Sequence, residues 1–156
     1  MMPLGATALY VNDMAPALWR AALAYGIDPV VMLAQAAHET GWGAFPGKVP
    51  PSFCNTCGLK INETVRKQFP DCAGGDLPLA HAQFASWDAG AHAHAQHLLA
   101  YCQVALPLGT ILLDPRWVHV YGKRPAISTV EELGGLWAPS VTYGQALVTL
   151  AGRLAA

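Results

Sequence analysis

The chain is 156 residues long, 53% hydrophobic and 12% charged, which gives one domain enough apolar material for its own core and excludes a disordered chain. The net charge is −1 and the nine Lys and Arg residues are scattered, so the sequence shows no basic stripe for nucleic acid or another polyanion. A polymeric partner would have to be held by hydrogen bonds and aromatic faces.

The opening residues, Met1 to Thr7, lack a basic segment followed by a long apolar run, so no ordinary secretory leader is expected. Between residues 7 and 26, Ala8, Val11, Met14, Leu18, Ala22 and Tyr25 recur at helical spacing, and Asn12, Asp13 and Pro16 suggest a cap and a restart. Gly26 closes this unit.

The next stretch is the most informative. Asp28 can cap a helix, Pro29 suits its first position and Gly41 ends it. Only Gln35, His38, Glu39 and Thr40 interrupt an apolar surface that runs all the way round, the pattern of a helix enclosed by protein. The run is too short to cross a bilayer, and no membrane insertion is expected. Glu39 lies in its last turn, where burial and the negative end of the helix dipole both favour a protonated carboxyl. A carboxyl that keeps its proton near neutrality is what a general acid requires. A Glu paired with an Arg, or exposed at a frayed helix end, is the competing explanation.

Beyond Trp42, Pro46, Gly47, Pro50 and Pro51 rule out a helix, and Phe53 to Lys60 reads as an irregular loop leading into a short strand. Residues 61–80 alternate weakly and hold Glu63, Asp71, Asp76 and Gly74-Gly75, as expected of a small β-lobe or loop insertion. Ser86 or Asp88 can cap a helix to about Tyr101, and a shorter helical piece surrounds Trp117. Ser128 with Glu131 forms a capping box for a short helix that Gly134-Gly135 stops. Ser140 can cap a last helix, 141–154, with Val141, Leu147, Leu150 and Leu154 facing inward. Residues 1–156 therefore read as a single domain of mainly α (α+β) class, a central buried helix with one small insertion.

Cys54, Cys57, Cys72 and Cys102 permit up to two disulfides or plain buried thiols, and the spacing fits no zinc pattern. His92, His94 and His97 have no acidic residue of the zincin type between them, and His94 and His97 read as packed or groove-lining. No metal or cofactor is expected. Trp19 and Trp117 read as core, whereas Trp42 and Trp137 sit in irregular segments that favour exposed rings.

Four stretches in order resemble the peptidoglycan-cleaving β-N-acetylglucosaminidases, the glucosaminidase-domain lysins and autolysins. They are Ala34 to Gly43 around His38-Glu39-Thr40-Gly41-Trp42-Gly43, Asn55-Thr56-Cys57-Gly58-Leu59-Lys60, His81 to Gly90 with the helix after it, and Leu133 to Gly144. The resemblance implies a lysozyme-like fold and an endo-β-N-acetylglucosaminidase that cuts the β-1,4 bond between N-acetylglucosamine and N-acetylmuramic acid. Glu39 would be the proton donor and Tyr143 a hydrogen-bond donor to the sugar or the developing charge. Asn55 would read an acetamido or hydroxyl group, and Trp42, Phe53 and Trp137 would stack on sugar rings. The segment between Lys60 and His81 is shorter than the hairpin that brings a second carboxylate in many members. Asp76, Glu63 and Asp71 are all candidates, with Asp76 taken as the base, and participation by the substrate's acetamido group would need none of them.

The expected partner is the glycan strand of peptidoglycan, with no nucleic acid and a monomeric enzyme. The expected setting is a phage endolysin or wall-cutting virion component, made in the bacterial cytoplasm without a signal peptide and acting on the cell wall. A lytic transglycosylase, a muramidase and a non-catalytic glycan-binding module are the alternatives.

Overall fold

A computed structural model of the protein describes residues 5–61 and 78–156. Glu63, Asp71, Cys72 and Asp76 lie outside the described residues, and so does most of the expected β-lobe.

The first helical unit is continuous where the sequence suggested a break. It begins at Ala8, passes through a π turn, Tyr10–Met14, and runs on as α1, Ala15–Tyr25. Pro16 has no N–H to offer the carbonyl four residues earlier, and the wider turn, closed by the Ala15 N–H on the Tyr10 carbonyl, absorbs that gap. Helix α2, Pro29–Thr40, has the ends its sequence specifies: Asp28 Oδ1 accepts the Val30 N–H at 2.8 Å, and Gly41 is left-handed with φ 58°. Met32, Ala34, Gln35, Ala36 and Ala37 of α2 are buried.

Three successive positive φ values, at Gly41, Trp42 and Gly43, turn the chain sharply away from α2. The Trp42 carbonyl accepts both the backbone N–H and the hydroxyl of Thr7, each at 3.0 Å, and its ring meets Tyr10 edge-on at 5.3 Å. Gly43 is needed because a Cβ there would lie 2.6 Å from Thr7 Oγ1. This turn fastens the start of the first helix to the end of α2.

The loop that follows holds a 3-10 turn, Pro51–Phe53, and returns through one antiparallel bridge between Lys60 and His81. Helix α3, Trp87–Cys102, is capped by Ser86, whose Oγ accepts the Ala89 N–H at 3.1 Å. Asp88, the other candidate cap, instead pairs with Arg20 of α1 at 2.7 Å on the surface, where such a pair contributes little. A short helix α4, Trp117–Val120, and a 3-10 turn, Glu131–Leu133, lead to α5, Tyr143–Ala155. Glu132 and not Glu131 is the residue of that 3-10 turn that bonds back to the segment before it: its Oε2 accepts the N–H groups of Ser128 and Thr129, each at 2.8 Å.

Helix α5 begins two residues later than Ser140 suggested, since Ser140 Oγ bonds Thr142 Oγ1 and caps nothing. Val141 is consequently 81% exposed, while Leu147 is fully buried as expected. Trp19 is also a correction, being 47% exposed on α1, whereas Trp117 is half-buried and stacks on Tyr121 at 4.7 Å. Helix α1 packs on α2 and α3, and α2 packs on α5, giving a mainly α, lysozyme-like arrangement with α2 at its centre. No helix among the described residues is long and apolar enough to cross a membrane.

The backbone of α3 touches the loop before it. A Cβ at Gly90 would collide with the Cys54 carbonyl, which cannot move without moving the loop. Gly90→Ala should therefore lower the stability measured by denaturant unfolding by about 2 kcal/mol or more. Gly152→Ala, in α5 where a Cβ meets nothing, should raise it by about 0.5–1 kcal/mol. Equal effects would contradict this packing.

Candidate active site

Glu39 ends α2 half-buried, and two other parts of the chain converge on it. Tyr143, the first residue of α5, donates its O–H to Glu39 Oε1 at 2.5 Å. Trp137 donates its indole N–H to the same oxygen at 3.1 Å. The Trp137 ring is held from behind by three rings of α3, with centroid distances of 5.7 Å to His94, 4.9 Å to His97 and 5.7 Å to Tyr101. His97 is fixed in turn by the buried Asp114, whose Oδ2 lies 2.8 Å from its Nδ1.

Tyr143 is itself held. Gln35, one turn before Glu39 on α2, donates from Nε2 to the Tyr143 oxygen at 3.0 Å. The Gln35 carbonyl oxygen then faces His94 Nε2 at 3.0 Å, and His94 Nδ1 faces the Thr56 hydroxyl at 3.1 Å. Since a side-chain amide oxygen only accepts, His94 carries its proton on Nε2 and takes the Thr56 hydroxyl proton at Nδ1. Burial, with a smaller contribution from His97, pushes His94 down to about 3, so the ring is neutral and has one tautomer. Four hydrogen bonds thus point the same way, from Thr56 through His94, Gln35 and Tyr143 to Glu39.

The Glu39 carboxyl is raised above its ordinary 4.5, with burial as the largest cause, opposed by the Tyr143 bond, the nearby His38 and the Trp137 bond. Both bonds end on Oε1, and neither takes up Oε2. Burial, the Glu39 charge and its hydrogen bond to Glu39 push the Tyr143 hydroxyl up, so it stays a neutral donor. Glu39 opens on a small cleft of about 80 Å³ lined also by Phe45, Pro46, Lys48, Asn55 and Gly58.

Of the residues named from the sequence, Glu39, Tyr143 and Trp137 come together here. Trp137 meets the carboxyl through its N–H, a role the stacking expectation did not contain. Asn55 is corrected: it is 1% exposed and donates both amide hydrogens to the carbonyls of Leu59 and Ala82, while Oδ1 accepts from the Cys57 and Leu59 N–H groups. All its hydrogen-bonding capacity goes into shaping the loop, so it has none for a sugar. Trp42 is half-buried against Tyr10 and secures the turn after α2. Phe53 does not line the cleft, and the ring beside Glu39 is Phe45. His38 is exposed and meets Tyr143 edge-on at 5.4 Å. Cys54, Cys57 and Cys102 are free thiols, each pushed up in pKa by burial. Nothing local marks Gln35 and Thr56 as partners of the site beyond the place of Gln35 on an otherwise apolar helix face four residues before Glu39.

A profile of the family Glucosaminidase, described as mannosyl-glycoprotein endo-beta-N-acetylglucosaminidase, matches residues 15–153. The chain belongs to the glucosaminidase family. The matched span contains every residue of the site just described. The glucosaminidase chain is also 56% identical over 34 residues to the peptidoglycan hydrolase FlgJ of Vibrio parahaemolyticus. That stretch covers 22% of this chain and 11% of the Vibrio protein. No solved structure matches the chain significantly.

The raised carboxyl has a consequence for stability. The folded chain binds the Glu39 proton more tightly than the unfolded chain does, so stability falls as pH rises from 4.5 through the raised value. Glu39→Gln removes this loss. Its unfolding midpoint should exceed that of the wild type at neutral pH and approach it below pH 4.5, a comparison read by thermal denaturation across pH. A constant difference across that range would contradict the buried, proton-retaining carboxyl.

Proposed function

We propose that this glucosaminidase hydrolyses the β-1,4 bond between N-acetylglucosamine and N-acetylmuramic acid in peptidoglycan, with Glu39 as the proton donor. The observation that carries this reading is the Glu39 carboxyl itself, raised by burial and pinned through one oxygen by Tyr143 and Trp137. The family and the Vibrio relative supply the substrate class.

In this reading the proton leaves Oε2 for the glycosidic oxygen as the bond to the N-acetylglucosamine anomeric carbon breaks, and water completes the reaction at that carbon. Charge grows on the Glu39 carboxylate as its proton departs, and the Tyr143 and Trp137 donors already point at the oxygen that shares it. No rearrangement is needed at that moment. The Gln35 amide keeps the Tyr143 hydroxyl from turning away, because it supplies the hydrogen that the tyrosine oxygen accepts.

Glu39→Gln should lower the release of reducing ends from purified peptidoglycan by at least about 100-fold while the variant still sediments with the polymer. Activity near that of the wild type would end the assignment. Tyr143→Phe should lower kcat by about tenfold or more with KM little changed, since the lost bond matters most as charge develops.

Water activation is assigned to Asp76, as the carboxylate that follows the Gly74-Gly75 pair. A base on the opposite face of the sugar predicts inversion where the two carboxyl groups stand far apart. Asp76→Asn should then cost far more rate than Glu63→Gln, and the reverse order would transfer the role to Glu63.

A further inference from the structure

Trp137 stands between two openings. Its N–H meets Glu39, while its ring lines a second cavity of about 290 Å³ whose wall includes Lys60, Arg116, His119 and Arg124. Gly58 lines both this cavity and the cleft at Glu39, so the two are neighbours on one face of the molecule. Arg116, His119 and Arg124 come from one stretch of nine residues and Lys60 from a distant one, and Lys60, Arg116 and Arg124 together are three of the chain's nine Lys and Arg residues.

The two arginines are placed by the fold. The Arg124 guanidinium lies 5.1 Å over the Tyr101 ring. The Arg116 backbone N–H is held by Asp114 Oδ1 at 2.7 Å, which fixes the loop that carries it. Asp114 is itself buried, with its other oxygen turned to His97, so its charge faces inward and not into the cavity. Among the described residues, no carboxylate lines the cavity. Two guanidinium groups in one wall present planar forks of N–H donors that match a carboxylate.

We propose that this cavity is a carboxylate-binding site that takes an acidic group of the peptide arm borne by the glycan strand, beside the bond cut at Glu39. The inference rests on peptidoglycan being the substrate. The sugar backbone of that polymer offers hydroxyl and acetamido groups, and its free carboxylates sit on the peptide arms. The site would make the enzyme prefer strands that carry charged peptides and would set the register in which the strand lies across Trp137.

The test uses the full chain on two forms of one peptidoglycan, native and with its carboxylates converted to carboxamides by carbodiimide and ammonia. Amidation should lower the wild-type kcat/KM on the order of tenfold, and so should the double change Arg116→Gln with Arg124→Gln on the native polymer. The double variant should then cut both forms at equal rates, because the interaction is already gone. A wild type indifferent to amidation, or a double variant that loses as much on the amidated polymer as on the native one, overturns the site. Arg116→Gln alone gives the same comparison if loss of the Arg124 contact with Tyr101 unsettles the fold. Should the wild type cut neither form, the glucosaminidase reading fails, and co-sedimentation with the two polymers decides the site by itself: retention must drop on amidation, and equal retention overturns it.

Discussion

Everything around the cleft answers one constraint, a carboxyl group placed at the negative end of a buried helix. Both the dipole of α2 and the exclusion of water oppose a charge on Glu39. Such a group keeps its place only if donors meet it, and the fold brings two from far away in sequence, the indole of Trp137 and the hydroxyl of Tyr143. The packing of α5 on α2 delivers the tyrosine, and the rings of α3 deliver the tryptophan. The helices are arranged around this carboxyl group.

The donor chain that ends on Glu39 also ties the loop wall of the cleft to its floor. Thr56 belongs to the irregular loop that Asn55 shapes, and its hydroxyl closes on His94 of α3. Because His94 is neutral and Gln35 is an amide, the chain carries direction without carrying charge, so it does not compete with Glu39 for the proton. A charged residue at either position would set a second ionisation beside the first. Asp114 and His97 do comparable work on the other side of Trp137, where His97 lines the basic cavity and Asp114 holds its ring.

Much of this was legible in the sequence wherever the signal was local. Asp28-Pro29 and Gly41 mark both ends of α2 because capping depends on a few adjacent residues. Glu39 stood out as a carboxylate on an apolar helix, and Tyr143 through its resemblance to a family element. Local signals failed where two near-equivalent residues competed, as Glu131 did with Glu132, and where a candidate cap bonded a neighbouring side chain instead, as Ser140 does with Thr142. What no local signal holds is a contact made across the fold. Gln35 and His94 are 59 residues apart, and Lys60 joins Arg116 and Arg124 in one cavity wall only when the chain is folded. Asn55 misled for the opposite reason: a motif position next to a groove is also where a loop needs an amide to satisfy its own backbone.

The central claim is that the glycosidic oxygen protonated by Glu39 belongs to the bond after N-acetylglucosamine. The most direct measurement is to digest purified peptidoglycan with the wild-type chain, reduce the products with borohydride and identify the new ends by mass spectrometry. Reduced N-acetylglucosamine ends are the expected result. Reduced N-acetylmuramic acid ends, non-reducible 1,6-anhydro ends, or no cleavage would contradict it.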